Sequence, residues 1–145
     1  MGTPYDQDIA AWAQEQAALL RDRQWDLLDV EHIAEEIAEL NLRERHELAH
    51  RYIILLSHLL KWRFQPEHRC SSWRHTLRDQ RTRIARLLSR TPSLKHVMDD
   101  AEWLSDVWDD ARCKAVHEAG LDYDAIPETW PWTVEQVQSQ EFFPD

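Results

Sequence analysis

The chain has 145 residues, of which 43% are hydrophobic and 30% charged, and its formal net charge is −10. This length and apolar fraction predict one domain over residues 1–145 and exclude wholesale disorder. Few β-branched residues and many helix formers predict that this domain is all-helical. With only two glycines the sequence also excludes phosphate-cradling glycine loops. The start of the chain lacks the apolar run of a signal peptide, and no stretch suits a bilayer span. We therefore expect a cytoplasmic protein that has no membrane contact and carries two free thiols, Cys70 and Cys113.

Apolar periodicity predicts the first two helices. Thr3-Pro4 indicates a capped start for the first helix, and Asp29 is the predicted N-cap of the second. Because a straight helix over residues 30–64 would be unusually long, we expect a kink or short break near Asn41. Residues 52–60 are apolar on nearly every side and are predicted to form the central, most buried helix. The apolar stripe that opens the second helix consists of Val30, Ile33, Ile37 and Leu40.

The second half of the sequence predicts two further long helices and a short one. Ser72 is the predicted cap of a third helix, which ends at about Ser89. Thr91-Pro92 opens a fourth helix that Gly120 ends. A capping box of Thr133 and Gln136 starts a short helix in the tail. Long helices joined by short loops predict an all-α fold, an antiparallel bundle of about four to five helices with a short C-terminal helical tail.

Charge is unevenly distributed along the chain. Residues 1–41 contain ten acidic and two basic side chains, residues 42–95 contain four and thirteen, and residues 96–145 contain thirteen and two. A basic centre therefore lies between two acidic flanks. We favour the interpretation that these segments pack together and neutralise one another, and the alternative is a basic surface for an acidic partner or nucleic acid.

Several short segments resemble one bacterial family. They are Tyr5-Asp6-Gln7-Asp8 with Trp12, Leu28-Asp29, Ile33 to Ile37, His58 to Trp62 with Gln65-Pro66-Glu67, Ser72-Trp73-Arg74, Thr91 to Leu94 and Trp130 to Thr133. With these segments the chain resembles the domain-of-unknown-function twenty-nine family over nearly its whole length. The resemblance implies an all-helical fold and leaves the function open. Asn41 stands where that family usually has a glycine.

One motif suggests zinc. His46, Glu47 and His50 form H-E-x-x-H on a predicted helix, a spacing that places two imidazoles on one face with a carboxylate between them. The metzincin continuation is absent, because Ile53 stands where a glycine is needed and Leu56 where a third histidine is needed. We therefore regard a metalloprotease as the weaker interpretation of this motif.

A looser metal site remains open as an alternative. Helical bundles build metal sites from inward-facing histidines and carboxylates, but a di-iron bundle needs two Glu-x-x-His pairs and the chain has only Glu47 with His50. A divalent metal such as zinc would need three ligands to converge. The candidate ligands are His46, His50, His58, His75, His96 and His117.

A richer candidate is a pocket beside the predicted end of the second helix. Two tryptophans, a lysine and two arginines there suit an anion or an aromatic ring. The alternative, which we favour, is a structural helix corner in which the tryptophans pack the turn. The candidate pocket residues are His58, Lys61, Trp62, Gln65, Pro66, Ser72, Trp73, Arg74 and Arg81.

These patterns favour a non-enzymatic protein-interaction or regulatory module over an enzyme. Segregated charge and the surplus tryptophans Trp103, Trp130 and Trp132 suggest a partner, either a second copy in a homodimer or another protein. The first alternative is a metal-dependent helical-bundle enzyme that uses His and Glu ligands. The second is nucleic-acid binding through the third helix, which the net charge opposes. The arginines of that helix concerned are Arg74, Arg78, Arg83, Arg86 and Arg90.

Overall fold

A computed structural model describes residues 2–145, and in that range the chain forms five α-helices, four 3₁₀ helices and no strand. The all-helical bundle predicted from the sequence is confirmed. No helix within residues 2–145 has both the length and the apolar character needed to cross a bilayer. The α-helices are α1 (Ile9–Arg21), α2 (Val30–Phe64), α3 (Ser71–Arg90), α4 (Ala101–Ala119) and α5 (Val134–Gln138). The 3₁₀ helices are Trp25–Leu27, Pro66–His68, Pro92–Asp99 and Tyr123–Ala125.

The chain folds into two compact units, the first ending at Arg43 and the second covering residues 44–145. Helix α2 contributes residues to each unit and runs without interruption, so the short break expected near Asn41 is absent. The apolar stripe changes face near Asn41, but helical backbone hydrogen bonds do not depend on which face is apolar, and no Gly or Pro interrupts them. The single domain over residues 1–145 stays a prediction.

The helix starts follow capping chemistry, though not always at the predicted residue. Helix α1 begins at Ile9, and its N-cap is Asp8, which accepts a hydrogen bond from the Ala11 amide at 3.0 Å. The predicted helix start at Thr3-Pro4 is wrong. Thr3 does not cap a helix there, because its amide and its hydroxyl both donate to the Glu15 carboxylate. Asp29 precedes α2 as predicted. Helix α3 begins one residue before the predicted Ser72 cap.

The predicted fourth helix is two elements. Pro92–Asp99 is a 3₁₀ helix, and α4 begins afterwards with Asp100 as its N-cap, whose side chain accepts from the Glu102 amide at 3.0 Å. Gly120 ends α4 as predicted, with a left-handed φ of 67° that favours glycine. The capping box of the tail is also confirmed: Thr133 and Gln136 bond to each other's backbone at the start of α5.

The core of the second unit is formed around the later part of α2. Residues 52–60 supply six fully buried side chains there, in agreement with the prediction of a central helix. The tryptophans attributed to a partner are used internally instead: Trp130 donates its indole N–H to the Leu104 carbonyl at 2.9 Å, and the rings of Trp103 and Trp132 pack edge-on to Tyr52 and Trp108, respectively. These three residues therefore no longer argue for a partner surface.

Candidate functional site

A cluster of polar and aromatic side chains, here called the hairpin clamp, holds α1 against the first turns of α2. The clamp consists of Tyr5, Trp12, Gln16, Asp29 and His32. The Trp12 indole N–H donates to the Asp29 carboxylate at 3.0 Å, and the Gln16 carbonyl oxygen accepts from the Asp29 amide at 2.8 Å. The Tyr5 ring stacks on His32 with centroids 4.1 Å apart. These contacts connect α1 and the residues that precede it to the start of α2.

The charges of the clamp stabilise one another. The Asp29 carboxylate accepts from His32 Nδ1 at 2.7 Å, and this bond lowers the pKa of Asp29 and raises the pKa of His32. The Tyr5 hydroxyl donates to Glu36, which raises the pKa of Tyr5 to about 12. The side chains of Tyr5, Trp12, Asp29 and His32 therefore each have a polar partner within the first unit, and we assign the clamp a structural role.

An apolar groove lies between α1 and the first part of α2. Its volume is about 340 Å³. The predicted stripe of the second helix contributes to its wall but is not covered: Ile37 is 66% exposed and Leu40 is 57% exposed. Patches of large apolar side chains this exposed usually mark a binding surface. The groove is lined by Trp12, Ala13, Gln16, Ala17, Leu20, Ile33, Glu36, Ile37, Leu40 and Arg43.

The unit that contains the apolar groove is acidic. Residues 1–43 include ten acidic and three basic side chains. Within the groove lining, the only basic residue, Arg43, pairs with Glu36 at 3.7 Å. Glu31, Glu35 and Glu39 are exposed on α2 in the same unit. The first unit therefore combines an apolar stripe with a strongly negative field.

The residues of the sequence-predicted pocket separate into two groups in the second unit. One group is directed to the end of α4: Lys61 forms an ion pair with Glu118, and Gln65 Nε2 donates to the Ala119 carbonyl at 2.8 Å. His58 Nδ1 donates to the Ile54 carbonyl at 2.9 Å, and burial lowers the pKa of His58. Each of these three side chains therefore has a polar partner within the second unit.

The other group surrounds Trp62. The guanidinium carbon of Arg74 lies 5.3 Å from the centroid of the Trp62 ring, and the Phe143 ring lies 5.0 Å from it. Arg81 is 3% exposed and lies 5.8 Å from the Phe143 ring. Of the remaining predicted pocket residues, Trp73 is half-buried, whereas Pro66 and Ser72 are exposed.

An arginine cavity of about 350 Å³ opens beside this second group, between α3 and the C-terminal segment. Arg81 is anchored there: its Nε donates to the Val137 carbonyl and its Nη2 to the Phe142 carbonyl, both at 2.8 Å. Burial lowers the pKa of Arg81 to about 10. The cavity is lined by Arg74, Arg78, Arg81, Thr82, Gln140 and Phe143.

Four of these lining residues were not among the predicted pocket residues. Arg78 follows Arg74 by one helical turn, so the i, i+4 spacing on α3 is a signal that identifies it. Thr82 follows Arg78 by the same spacing. Gln140 and Phe143 come from the distant C-terminal segment, and no local pattern in the sequence places them beside α3.

The H-E-x-x-H residues lie on α2 without converging with other ligands. His46 and His50 are exposed, and the Glu47 carboxylate accepts from Arg51 Nε at 3.1 Å. In the described part of the chain, residues 2–145, no group of three His, Cys, Asp or Glu side chains is placed to hold a metal ion. Within those described residues, no third ligand joins the two histidines His46 and His50.

The helices, the groove and the cavity define a small all-helical protein. More specifically, the chain belongs to the DUF29 family, described as a domain of unknown function, whose model matches residues 4–143. The family predicted from the sequence segments is thus confirmed. No curated protein and no solved structure matches the chain.

Proposed function

We propose that this protein is a non-enzymatic interaction module whose apolar groove binds an amphipathic, basic helix of another protein. The observation that carries the proposal is the exposure of Ile37 and Leu40 in a preformed groove. Groove residues recur at i, i+4 and i+7 on both helices, as Ala13, Ala17 and Leu20 on α1 and as Ile33, Ile37 and Leu40 on α2. Such spacing suits a third helix laid along the groove.

Charge supports a basic partner over a second copy. A helix whose apolar face is flanked by Lys and Arg complements the net charge of −7 on residues 1–43. In a homodimer formed through the same groove, two such negative surfaces would face each other and repel. A cytoplasmic location is part of the proposal and is supported by two exposed free thiols, Cys70 and Cys113.

A designed peptide tests the proposal. The probe is a labelled helical peptide of about five turns with leucines at i, i+4 and i+7 and lysines beside them. A matched peptide carries glutamates in place of the lysines. We expect fluorescence anisotropy to detect binding of the lysine peptide to the full chain and about tenfold weaker binding of the glutamate peptide at about 0.1 M salt.

Two variants locate the binding site. Ile37→Asp places a charge in the groove, whereas Leu42→Asp makes the same change at an exposed apolar residue of α2 that does not line the groove. Burying one large aliphatic side chain contributes about 1.5–3 kcal/mol, so Ile37→Asp should weaken binding by about ten- to a hundredfold and Leu42→Asp by about twofold or less.

Three results would overturn the proposal. The first is no binding of the lysine peptide at about 0.1 mM protein. The second is an equal effect of the two variants, which would place the peptide elsewhere. The third is a dimer in sedimentation equilibrium that Ile37→Asp dissociates, because the groove would then be occupied by a second copy of the chain.

A further inference from the structure

The arginine cavity brings three guanidinium groups to one face of α3. Arg74, Arg78 and Arg81 stand at i, i+4 and i+7, so a single helical face presents them in a row. Gln140 closes the opposite side, because its Nε2 donates to the Arg78 carbonyl and to the Thr82 hydroxyl, each at 3.2 Å. The cavity therefore has two walls, one from α3 and one from the C-terminal segment.

The positive charge of the cavity is not neutralised within the described chain. Among residues 2–145, no carboxylate lies within ion-pairing distance of Arg74, Arg78 or Arg81. On the same helix, by contrast, Arg83 pairs with Asp79 at 2.9 Å. Burying a cation as deeply as Arg81 is unfavourable in free energy without an anionic partner, and hydrogen bonds to carbonyl oxygens offset only part of that free energy. An anion in the cavity would supply the rest.

The number and shape of the donors define the anion. Guanidinium groups bind carboxylates and phosphates through paired N–H bonds, and three of them favour a dianion over a monocarboxylate. Arg81 already uses Nε and Nη2 to hold the C-terminal segment, which leaves its Nη1 for a ligand. Phe143 adds an apolar wall, and about 350 Å³ lies near the lower limit of ordinary small-molecule sites.

We propose that the arginine cavity binds a phosphate dianion, either inorganic phosphate or the phosphate group of a small phosphomonoester. Arg74 and Arg78 contact the phosphate oxygens from α3, and Arg81 contacts them from the base of the cavity. Because Arg81 also holds the backbone of the C-terminal segment, the bound phosphate stabilises the docking of that segment on α3. This ligand site is independent of the apolar groove and of the helix proposed to bind there.

Calorimetric titration and thermal melting at constant ionic strength test this site. Inorganic phosphate and phenyl phosphate are the probes, and benzoate is the monoanionic control. We expect phosphate to raise the melting temperature of the full chain in a saturable manner, and benzoate to have no effect. Tighter binding of phenyl phosphate than of inorganic phosphate would assign the site to a phosphomonoester, and equal or weaker binding would assign it to free phosphate.

A matched pair of variants on α3 distinguishes phosphate binding in the arginine cavity from non-specific electrostatic attraction to the helix. Arg78→Gln removes a cavity guanidinium, whereas Arg86→Gln removes the same charge from an exposed position outside the cavity. Both residues are exposed, so both variants should keep the parent far-UV circular dichroism. Loss of one charged hydrogen-bond donor should weaken phosphate binding by about ten- to a hundredfold for Arg78→Gln and about twofold or less for Arg86→Gln.

Several outcomes would overturn the proposal. One is the absence of a phosphate-dependent rise in melting temperature up to about 50 mM ligand. Another is an equal loss of affinity in the two variants, which would indicate diffuse attraction to a basic helix. A third is tight binding of a single-stranded oligonucleotide that both variants weaken equally, because α3 would then act as an extended nucleic-acid surface.

Discussion

Arg81 offers the sharpest test of how the C-terminal segment is held on α3. Its buried side chain donates to two backbone carbonyls, those of Val137 and Phe142, each at 2.8 Å. The substitution Arg81→Met keeps much of the side-chain length and removes both donors. The two carbonyl groups then lose their bonds to Arg81, while the apolar packing around the side chain changes little.

The expected loss of stability follows from these two hydrogen bonds. A hydrogen bond from a charged donor contributes about 1.5–3 kcal/mol, but removal of a cation that is costly to bury returns part of the loss. We expect Arg81→Met to lower the free energy of unfolding by about 2–4 kcal/mol. Arg81→Lys keeps the charge, but a single ammonium group cannot reproduce the forked contact, so about half of that loss is expected.

Urea unfolding measures the effect. Far-UV circular dichroism follows the helices, and the fluorescence of the eight tryptophans, which include Trp130 and Trp132 of the tail, follows the loss of tertiary packing. Arg86→Met on the exposed face of α3 is the control and should change stability by about 0.5 kcal/mol or less. The argument from the two carbonyls is refuted if the free energy of unfolding of Arg81→Met lies within about 0.5 kcal/mol of the parent value. It is also refuted if Arg81→Lys lowers that free energy more than Arg81→Met does.

Two further predictions concern the C-terminal end of α4. Burial alone would raise the pKa of Glu118, but hydrogen bonds from Lys114 and Lys61 outweigh it and lower that pKa from 4.5 to about 2. Because the folded pKa is the lower one, this stabilisation is present above pH 4.5 and is lost as the pH falls towards about 2. Urea titrations across that range should have a smaller pH dependence in Glu118→Gln, and an unchanged dependence would contradict the assignment. Gly120→Ala should cost about 1–2 kcal/mol in thermal melts, because the φ of 67° strains alanine although its Cβ meets no atom within 4 Å; an unchanged melting temperature would argue against the left-handed cap.

The helices were predictable because their signals are local. Apolar periodicity and capping residues lie within a few positions of the elements they define, as for Asp29, Gly120 and the Thr133 capping box. Local signals also explain why the 3₁₀ helix Pro92–Asp99 was not predicted, because they do not distinguish it from an α-helix. Its buried residues Leu94 and Val97 are three positions apart, a spacing that suits a 3₁₀ helix and an α-helix equally, so periodicity over eight residues cannot separate the two.

The arginine cavity was predictable only in part. Trp62, Arg74 and Arg81 were singled out because they flank one helix break, and the fold does gather them near Phe143. Phe143 and Gln140 were missed because they join α3 through contacts more than 50 residues apart in sequence, as in the bond from Gln140 to Thr82. Contacts of this kind depend on the course of the tail, for which local pattern gives no signal.

The groove shows a different limit of prediction from the sequence. Periodicity identifies an apolar face of a helix but does not indicate what covers that face. Ile37 and Leu40 lie on the stripe predicted for α2, yet both remain exposed. The first unit instead relies on the hairpin clamp, in which Trp12 and His32 both bond to Asp29 and their rings pack edge-on to each other. A hairpin held in this way has its apolar groove in place before any partner arrives. A binding helix would therefore meet an ordered surface, and little of its binding free energy would be lost to ordering α1 and α2.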